Sequence, residues 1–338
     1  MKFLVLAGLF LVIAIWNYCA FGADDGFAPI KLTISTPKPK CQLGDWIEIN
    51  YKMENIGRER VKAIKPIIDV YSVSLVLEYN TEEKSGEPIS DTVYTPVSFT
   101  HTAYTPSVYE SKPTKEHLEK TSLEPGKSLT AVFKIPAIKL GKLKITAVEN
   151  GISGNVKPSN TLLLDIGLAD KDKNKELVAV IDTNQGKIVA NFYVDDAPNH
   201  VLNFVKLAKQ GFYDKGVFHR VIKGFMIQGG SPKRDGSSGP GYSIKAEFNK
   251  QKHLDGTLSM ARSNHNDSAG CQFYICLAPQ GGLDNQYTVF GQTVQGMDVV
   301  RKIGDTPTTG SRGVPPDRPR TDMNINKITI ELMDLKKE

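Results

Sequence analysis

Side chains able to do covalent or metal chemistry are sparse in this sequence and poorly arranged for it. Four cysteines, Cys19, Cys41, Cys271 and Cys276, are too few and too irregularly spaced for a disulfide scaffold or a zinc knuckle. Cys271 and Cys276 bound the run Cys-Gln-Phe-Tyr-Ile-Cys, which reads as one strand. Residues five apart on a strand point to opposite faces and lie too far apart to bridge. Both read as small buried hydrophobes, and Cys41 as a free thiol. His101 and His117 have no clustered partners and read as surface residues. What stands out instead is an ordered set of blocks in the second half. Phe218-His219-Arg220-Val221-Ile222-Lys223-Gly224-Phe225-Met226-Ile227-Gln228-Gly229-Gly230 comes first, then Gly256-Thr257-Leu258-Ser259-Met260-Ala261. Gly270-Cys271-Gln272-Phe273-Tyr274-Ile275 follows, then Leu283-Asp284 and Tyr287-Thr288-Val289-Phe290-Gly291.

In that order, over about residues 175–333, the blocks closely resemble the signature of cyclophilin-type peptidyl-prolyl cis–trans isomerases. The resemblance implies an enzyme that rotates X–Pro peptide bonds in proline-containing polypeptides. Conjugation sets a barrier of roughly 18–20 kcal/mol to that rotation. Conjugation is lost at the twisted transition state, and the proline nitrogen regains a lone pair. A fixed, permanently charged donor aimed near that nitrogen favours the twisted state over both planar states. By resemblance Arg220 is that donor, and a guanidinium suits the task because it stays protonated and presents several N–H groups. Gln228 would hold the guanidinium, while Phe225, Met226, Tyr274 and Leu283 would line an apolar pocket for the pyrrolidine ring. Gln272 and the backbone at Ala261 and Arg262 would contact the substrate. His219 would adjoin the site, and Tyr287 would take a rim position often held by His. No nucleophile, metal or cofactor is called for.

The sequence departs from the family pattern at three places. Gly282 stands where cyclosporin-sensitive members carry Trp, Tyr274 replaces the commoner Phe, and Arg262 replaces a common Asn. These changes bear on drug affinity and substrate preference more than on the isomerase reaction.

The elements that must position these residues are mostly strands. Leu177–Ile181 and Lys187–Tyr193 flank a Thr183-Asn184-Gln185-Gly186 turn and predict a hairpin. Asp195-Asp196-Ala197-Pro198 predicts a helix start with an acidic N-cap; Val201, Phe204, Val205 and Ala208 follow at helical spacing, and Gly211 stops the helix. A second short helix is predicted at Met297, Val300, Arg301 and Gly304, and a final strand at Ile325–Leu332. Many strands with two short helices predict a closed antiparallel barrel, of eight strands by the family resemblance. Before it, residues 23–167 alternate with period two: Ile47, Ile49, Tyr51 and Met53, then Tyr71 to Tyr79, then Leu129 to Ile135. Turns such as Leu43-Gly44-Asp45 and Glu124-Pro125-Gly126 punctuate them, and the pattern predicts an antiparallel β-sandwich resembling immunoglobulin-like modules. Within it Tyr94-Thr95-Pro96 is echoed by Tyr104-Thr105-Pro106. That stretch reads as an inserted Ser/Thr/Pro-rich loop, with an extended docking surface as the alternative. Residues 168–176 are polar with alternating charge and read as a solvated linker, leaving the isomerase-like domain at 177–338.

Length and composition agree with this two-domain division. The chain has 338 residues, 40% hydrophobic and 23% charged, so it carries enough apolar surface for two cores. Its net charge of +5 comes from both signs scattered along the chain, which argues against a nucleic-acid partner. Lys2 precedes an apolar run from Phe3 to Trp16, and Ala20-Phe21-Gly22 offers small residues for cleavage. Residues 1–22 therefore read as a signal peptide, and the expectation is an exported protein, periplasmic or extracellular, acting on unfolded exported clients. An uncleaved leader would instead anchor it to a membrane. A second function class stays open: a binding protein in which the sandwich is primary and the barrel holds prolines with little turnover.

Overall fold

The computed structural model describes residues 29–64, 73–80, 90–95, 120–149 and 156–334. The leader, His101, His117 and all of the Tyr94–Tyr109 repeat beyond Thr95 lie outside them. The protein is mainly β, with two α-helices among the described residues.

The first half supplies β1 (Ile30–Ser35), β2 (Lys40–Gln42), β3 (Trp46–Asn55), β4 (Val61–Ile64), β5 (Val73–Asn80) and β6 (Ser90–Thr95), then β7 (Lys120–Leu123), β8 (Ser128–Pro136), β9 (Gly141–Glu149) and β10 (Thr161–Gly167). They form a three-stranded sheet β1-β3-β8, a five-stranded sheet β2-β10-β9-β5-β6, and a separate pair β4-β7. Alternation places the residues: in β3 Ile47, Ile49, Tyr51 and Met53 are all buried, with half-exposed residues between them. One ladder departs from the antiparallel expectation, since β10 runs parallel to β2. More than a hundred residues of chain separate these strands, ample for the long crossover that parallel pairing needs.

The second half supplies β11 (Glu176–Thr183), β12 (Gly186–Phe192), helix α1 (Pro198–Lys209), β13 (Gly216–Val217), β14 (Arg220–Ile222), β15 (Met226–Gly229), β16 (Thr257–Met260), β17 (Phe273–Cys276), β18 (Val289–Gln295), helix α2 (Met297–Gly304) and β19 (Asn324–Met333). The β11–β12 hairpin forms as predicted, closing at Thr183 opposite Gly186. Helix α1 also forms, but its acidic N-cap does not. Ala197 occupies the cap without a side-chain bond, and the free N–H groups of Asn199 and His200 are taken by the Glu247 carboxylate at 3.0 and 2.9 Å. A distant Glu thus does the capping, for the same dipole reason that favoured Asp195 and Asp196. Phe204 anchors α1 on the sheet, its ring 5.1–5.4 Å from those of Tyr213, Phe273 and Phe290.

The eight-stranded closed barrel is corrected to a curled, open sheet of nine strands in the order β13-β19-β11-β12-β18-β16-β17-β15-β14. Its edge strands β13 and β14 are successive in the chain, with only Phe218 and His219 between them. Strands of two and three residues so joined have no length to pair with each other. The seam is covered from elsewhere: Phe218 N–H donates to Met323 O and Val221 N–H to Asp317 O, both at 2.9 Å.

Between the halves, residues 168–176 carry a 3-10 turn at Asp170–Asp172 and two ion pairs, Lys173–Asp170 and Lys175–Asp172. Contacts also cross nearby. Lys209 at the end of α1 donates to Gly44 O at 2.5 Å and lies over the Trp46 ring, and Lys139 pairs with Asp195.

Candidate active site

The strand period builds the site. Arg220 faces Gln228 across β14–β15, Gln228 faces Tyr274 across β15–β17, and Tyr274 faces Ser259 across β17–β16. Directly opposed residues share a face, so these side chains and Met226, two before Gln228, project to one side of the sheet. The intervening Ile227, Leu258, Met260, Phe273 and Ile275 belong to the main core on the other side. Met226, Tyr274 and Cys276 form their own apolar cluster, flanked by Ile222, Phe225, Ala261, Leu283 and Tyr287. Cys271 lies in the main core and Cys276 in this second cluster, so the two thiols are apart as expected, but the strand read through both begins only at Phe273 and leaves Cys271 outside it. Burial pushes the Cys276 thiol up to about 12, leaving it a protonated packing group.

Tight backbone geometry orients the first block. Gly224, at φ +73°, makes the β14–β15 turn, which brings Phe225 beside Met226 at the mouth. Gly230, at φ +89°, passes so close to the segment leading into β17 that a Cβ there would lie 2.5 Å from Cys271 O.

The result is a cavity of about 310 Å³. His219, Arg220, Phe225, Met226, Gln228, Ala261, Arg262, Tyr274, Leu283 and Tyr287 all line it, so the sequence-named residues meet in one place with a single exception. Gln272 stands behind the wall. Its amide N–H groups donate to Gly236 O and Ser238 O at 2.9 and 3.0 Å, and its oxygen accepts from Gln228 at 3.0 Å. Ala261 N–H donates to Gln272 O, which ties that wall to the next strand.

The geometry reassigns the partner of Arg220. Gln228 was expected to hold the guanidinium, but its amide nitrogen donates to Gln272 Oε1, and among the described residues no hydrogen bond joins Gln228 to Arg220. Instead Arg220 Nε pairs with Asp317 Oδ2 at 3.5 Å, the Arg side chain 42% exposed and the Asp 12%. Asp317 was not singled out from the sequence; nor were Asp235, Gly236, Pro315 and Pro316, which line the cavity.

Electrostatics divide the polar groups. His219 is 5% exposed, and both ring nitrogens lack a hydrogen-bond partner. Burial first, and the Arg318 charge next, push its imidazole down to about 4; Asp235 and Gln272 oppose, and Arg220 adds a smaller push down. Gln272 lies near enough to favour the charged ring, but its oxygen already accepts from Gln228. The imidazole is therefore neutral at physiological pH, with a donor and an acceptor nitrogen to spare. Under the floor, Tyr274 OH meets His253 Nε2 at 3.0 Å, and His253 Nδ1 meets Asp284 Oδ1 at 3.1 Å. The hydroxyl that distinguishes Tyr274 from the commoner Phe thus has a buried partner. Hydrogen bonds from the His253 backbone N–H and side chain hold the Asp284 carboxyl down at about 2. At the rim Arg262 lies over the Tyr287 ring, 4.6 Å from its centroid, and donates to Gln286 O.

Comparison with known proteins bears on the same region. Residues 178–330 match the family described as "Cyclophilin type peptidyl-prolyl cis-trans isomerase/CLD". A peptidyl-prolyl cis-trans isomerase of Synechococcus elongatus is 51% identical over 127 residues, covering 37% of this chain and 87% of that protein. Peptidyl-prolyl cis-trans isomerase B of Bacillus subtilis is 45% identical over 121 residues, covering 35% and 84%. The chain belongs to the cyclophilin-type peptidyl-prolyl cis–trans isomerases.

Among solved structures, a Cryptosporidium parvum cyclophilin crystallised in the presence of the dipeptide Ala-Pro aligns with a TM-score of 0.43 and 28% identity, covering 46% of this chain and 98% of that one. The cyclophilin match begins at β11 and ends within β19, so the residues before 178 lie outside it. In the present chain Gly282 directly precedes the cavity-lining Leu283, with open space where a Cβ would be.

Proposed function

We propose that the cavity isomerises X–Pro bonds through Arg220, the proline ring resting on Met226, Phe225, Tyr274 and Leu283. One observation carries the reading: a half-exposed guanidinium and an apolar cluster independent of the main core share one cavity of about 310 Å³. An apolar pocket with a few convergent polar groups is what a proline-sized ligand needs. Arg220 N–H groups donate to the proline nitrogen only when the bond is twisted, so the interaction favours the transition state over both planar forms. The neutral His219 and the backbone at Ala261 and Arg262 hold the flanking peptide. Gln228 and Gln272 brace one wall through their shared hydrogen bond, and Tyr287 with Arg262 forms the rim.

The test is Arg220→Ala assayed for cis–trans exchange on a short proline peptide. Loss of one preorganised donor lowers turnover by about 10²–10³. Peptide binding falls less, because the apolar cluster stays. Near-wild-type turnover in a folded variant removes Arg220 from the mechanism.

The cellular role follows from the first segments. The Lys2–Gly22 pattern supports export to the periplasm or beyond, where the enzyme would assist folding of other exported proteins. The strands of residues 23–167 would serve as an immunoglobulin-like docking or spacing module, with 168–176 as connector and 177–338 as the catalytic domain. The mature N-terminus, read by mass spectrometry on protein from the native host, decides the leader: Ala23 supports cleavage and export, Met1 opposes it.

A further inference from the structure

We infer that Asp317 is the positioning residue for Arg220, delivered by the Gly310–Asp317 loop; this rests on the proposed role of Arg220. An arginine side chain carries about 2 kcal/mol of rotamer entropy, and a donor that must be found among many rotamers loses most of its catalytic worth. Arg220 is 42% exposed, so packing alone does not hold it. Among the described residues, Asp317 is the group that forms an ion pair with it. The pair engages Nε, on the stem side of the guanidinium, and leaves both terminal nitrogens without a hydrogen bond among the described residues.

Asp317 is itself fixed from several directions. Its carbonyl accepts from Val221 N–H, the residue after Arg220, at 2.9 Å, and its own N–H donates to Gly310 O at 3.0 Å. Thr309 Oγ1 donates to Pro315 O at 2.7 Å and accepts from Arg318 N–H at 3.0 Å, closing the loop across its base. The backbone at Asp317 is left-handed, φ +55°, a conformation that Asp tolerates better than most residues. The neighbouring cation does not compete for the carboxylate, because Arg318 is turned away to Arg234 O and Asp322. The same loop presents Pro315 and Pro316 to the cavity. An ordinary surface ion pair of this length contributes little. This one differs in that the acid is 12% exposed and strapped to the strand that carries its partner.

The experiment is a double-mutant cycle on the full chain with Asp317→Asn, Arg220→Ala and the pair, giving kcat and KM for exchange on a proline peptide. Asparagine keeps the left-handed tolerance and the shape, and removes the charge. Asp317→Asn is expected to lower kcat roughly threefold to tenfold with KM little changed, and to cost nothing further in the Arg220→Ala background. A kcat equal to wild type, or the same loss in both backgrounds while Arg220→Ala alone is strongly impaired, overturns the assignment of Asp317 and leaves Arg220 standing. An Arg220→Ala protein of wild-type activity overturns both. Should Asp317→Asn fail to fold, the wild-type Arg220 Nε–H order parameter by NMR decides: a rigid Nε supports the clamp, and one as mobile as an exposed arginine overturns it.

Discussion

His219 offers a test in which stability and site chemistry are read from the same ring. Its pKa lies near 4 in the folded chain against 6.5 for the free side chain, because it is buried beside the Arg318 charge with both nitrogens unpartnered. The direction of the effect follows from which state binds the proton. Above pH 6.5 neither state is protonated, and His219 contributes no pH dependence. As pH falls from 6.5 towards 4 the unfolded chain takes up a proton that the folded chain refuses, so stability falls; below 4 the loss levels off. At pH 5 this amounts to about 2 kcal/mol. His219→Gln keeps a polar group of similar reach without a titrating ring. Urea unfolding at pH 7.5 and pH 5.0 should therefore show wild type losing about 2 kcal/mol more than the variant across that interval. Subtracting the variant removes the shared background, including His253, whose pKa burial also lowers. Parallel losses in the two proteins, or an NMR titration of the His219 ring centred near 6.5, would refute the buried, neutral imidazole.

Cyclosporin should inhibit this protein weakly, since Gly282 offers no indole to pack on or hydrogen-bond the drug; Gly282→Trp should strengthen inhibition, because the position has room for a Cβ. Potent inhibition of the unmodified protein would show that the position matters little. A truncated chain beginning near Asn174 should fold and keep most activity on a short peptide, since every cavity residue lies beyond it, at a stability cost from losing the Lys209–Gly44 and Lys139–Asp195 contacts. A folded but inactive fragment would place part of the site in the first half. Phe204→Ala should destabilise this half by about 3–5 kcal/mol in urea titration, because the ring sits among Tyr213, Phe273 and Phe290; a loss under about 1 kcal/mol would mean α1 is not anchored there.

What could be read from the sequence was whatever had a period or an uninterrupted block. Alternation located the buried face of β3, the β11–β12 turn fixed a register, and helical spacing found α1. The blocks named most of the cavity through the family resemblance, and the strand register explains why the residues they named meet on one face. What escaped was contributed across long separations by segments without a period. Glu247 caps α1 from a coil stretch, where nothing local marks it out against the nearer Asp195 and Asp196. Asp317 sits in a loop rich in Gly and Pro, and its pairing with Arg220 depends on how the chain returns past the open seam between β13 and β14. The same seam explains the missed closure, for a sheet order cannot be seen in a succession of strands.

The site's placement on the sheet decides how mutations in it should behave. Strands β15 and β17 send alternate residues into the main core and into the small cluster of Met226, Tyr274 and Cys276. Substitutions one position apart should therefore differ in kind. Ile227 and Phe273 are fully buried against the main core, so truncating them opens cavities and costs stability. Arg220 and Gln228 line the open cavity, so truncating them leaves the main-core packing intact. Tyr274 stands between the two cases, because its ring lines the cavity while its hydroxyl is tied through His253 to Asp284. Removing that hydroxyl would leave a buried histidine nitrogen with Ser259 Oγ as its remaining neighbour, 3.2 Å away. The polar floor is thus tied to the pocket it supports by the Tyr274 hydroxyl as well as by the stacking of the two rings.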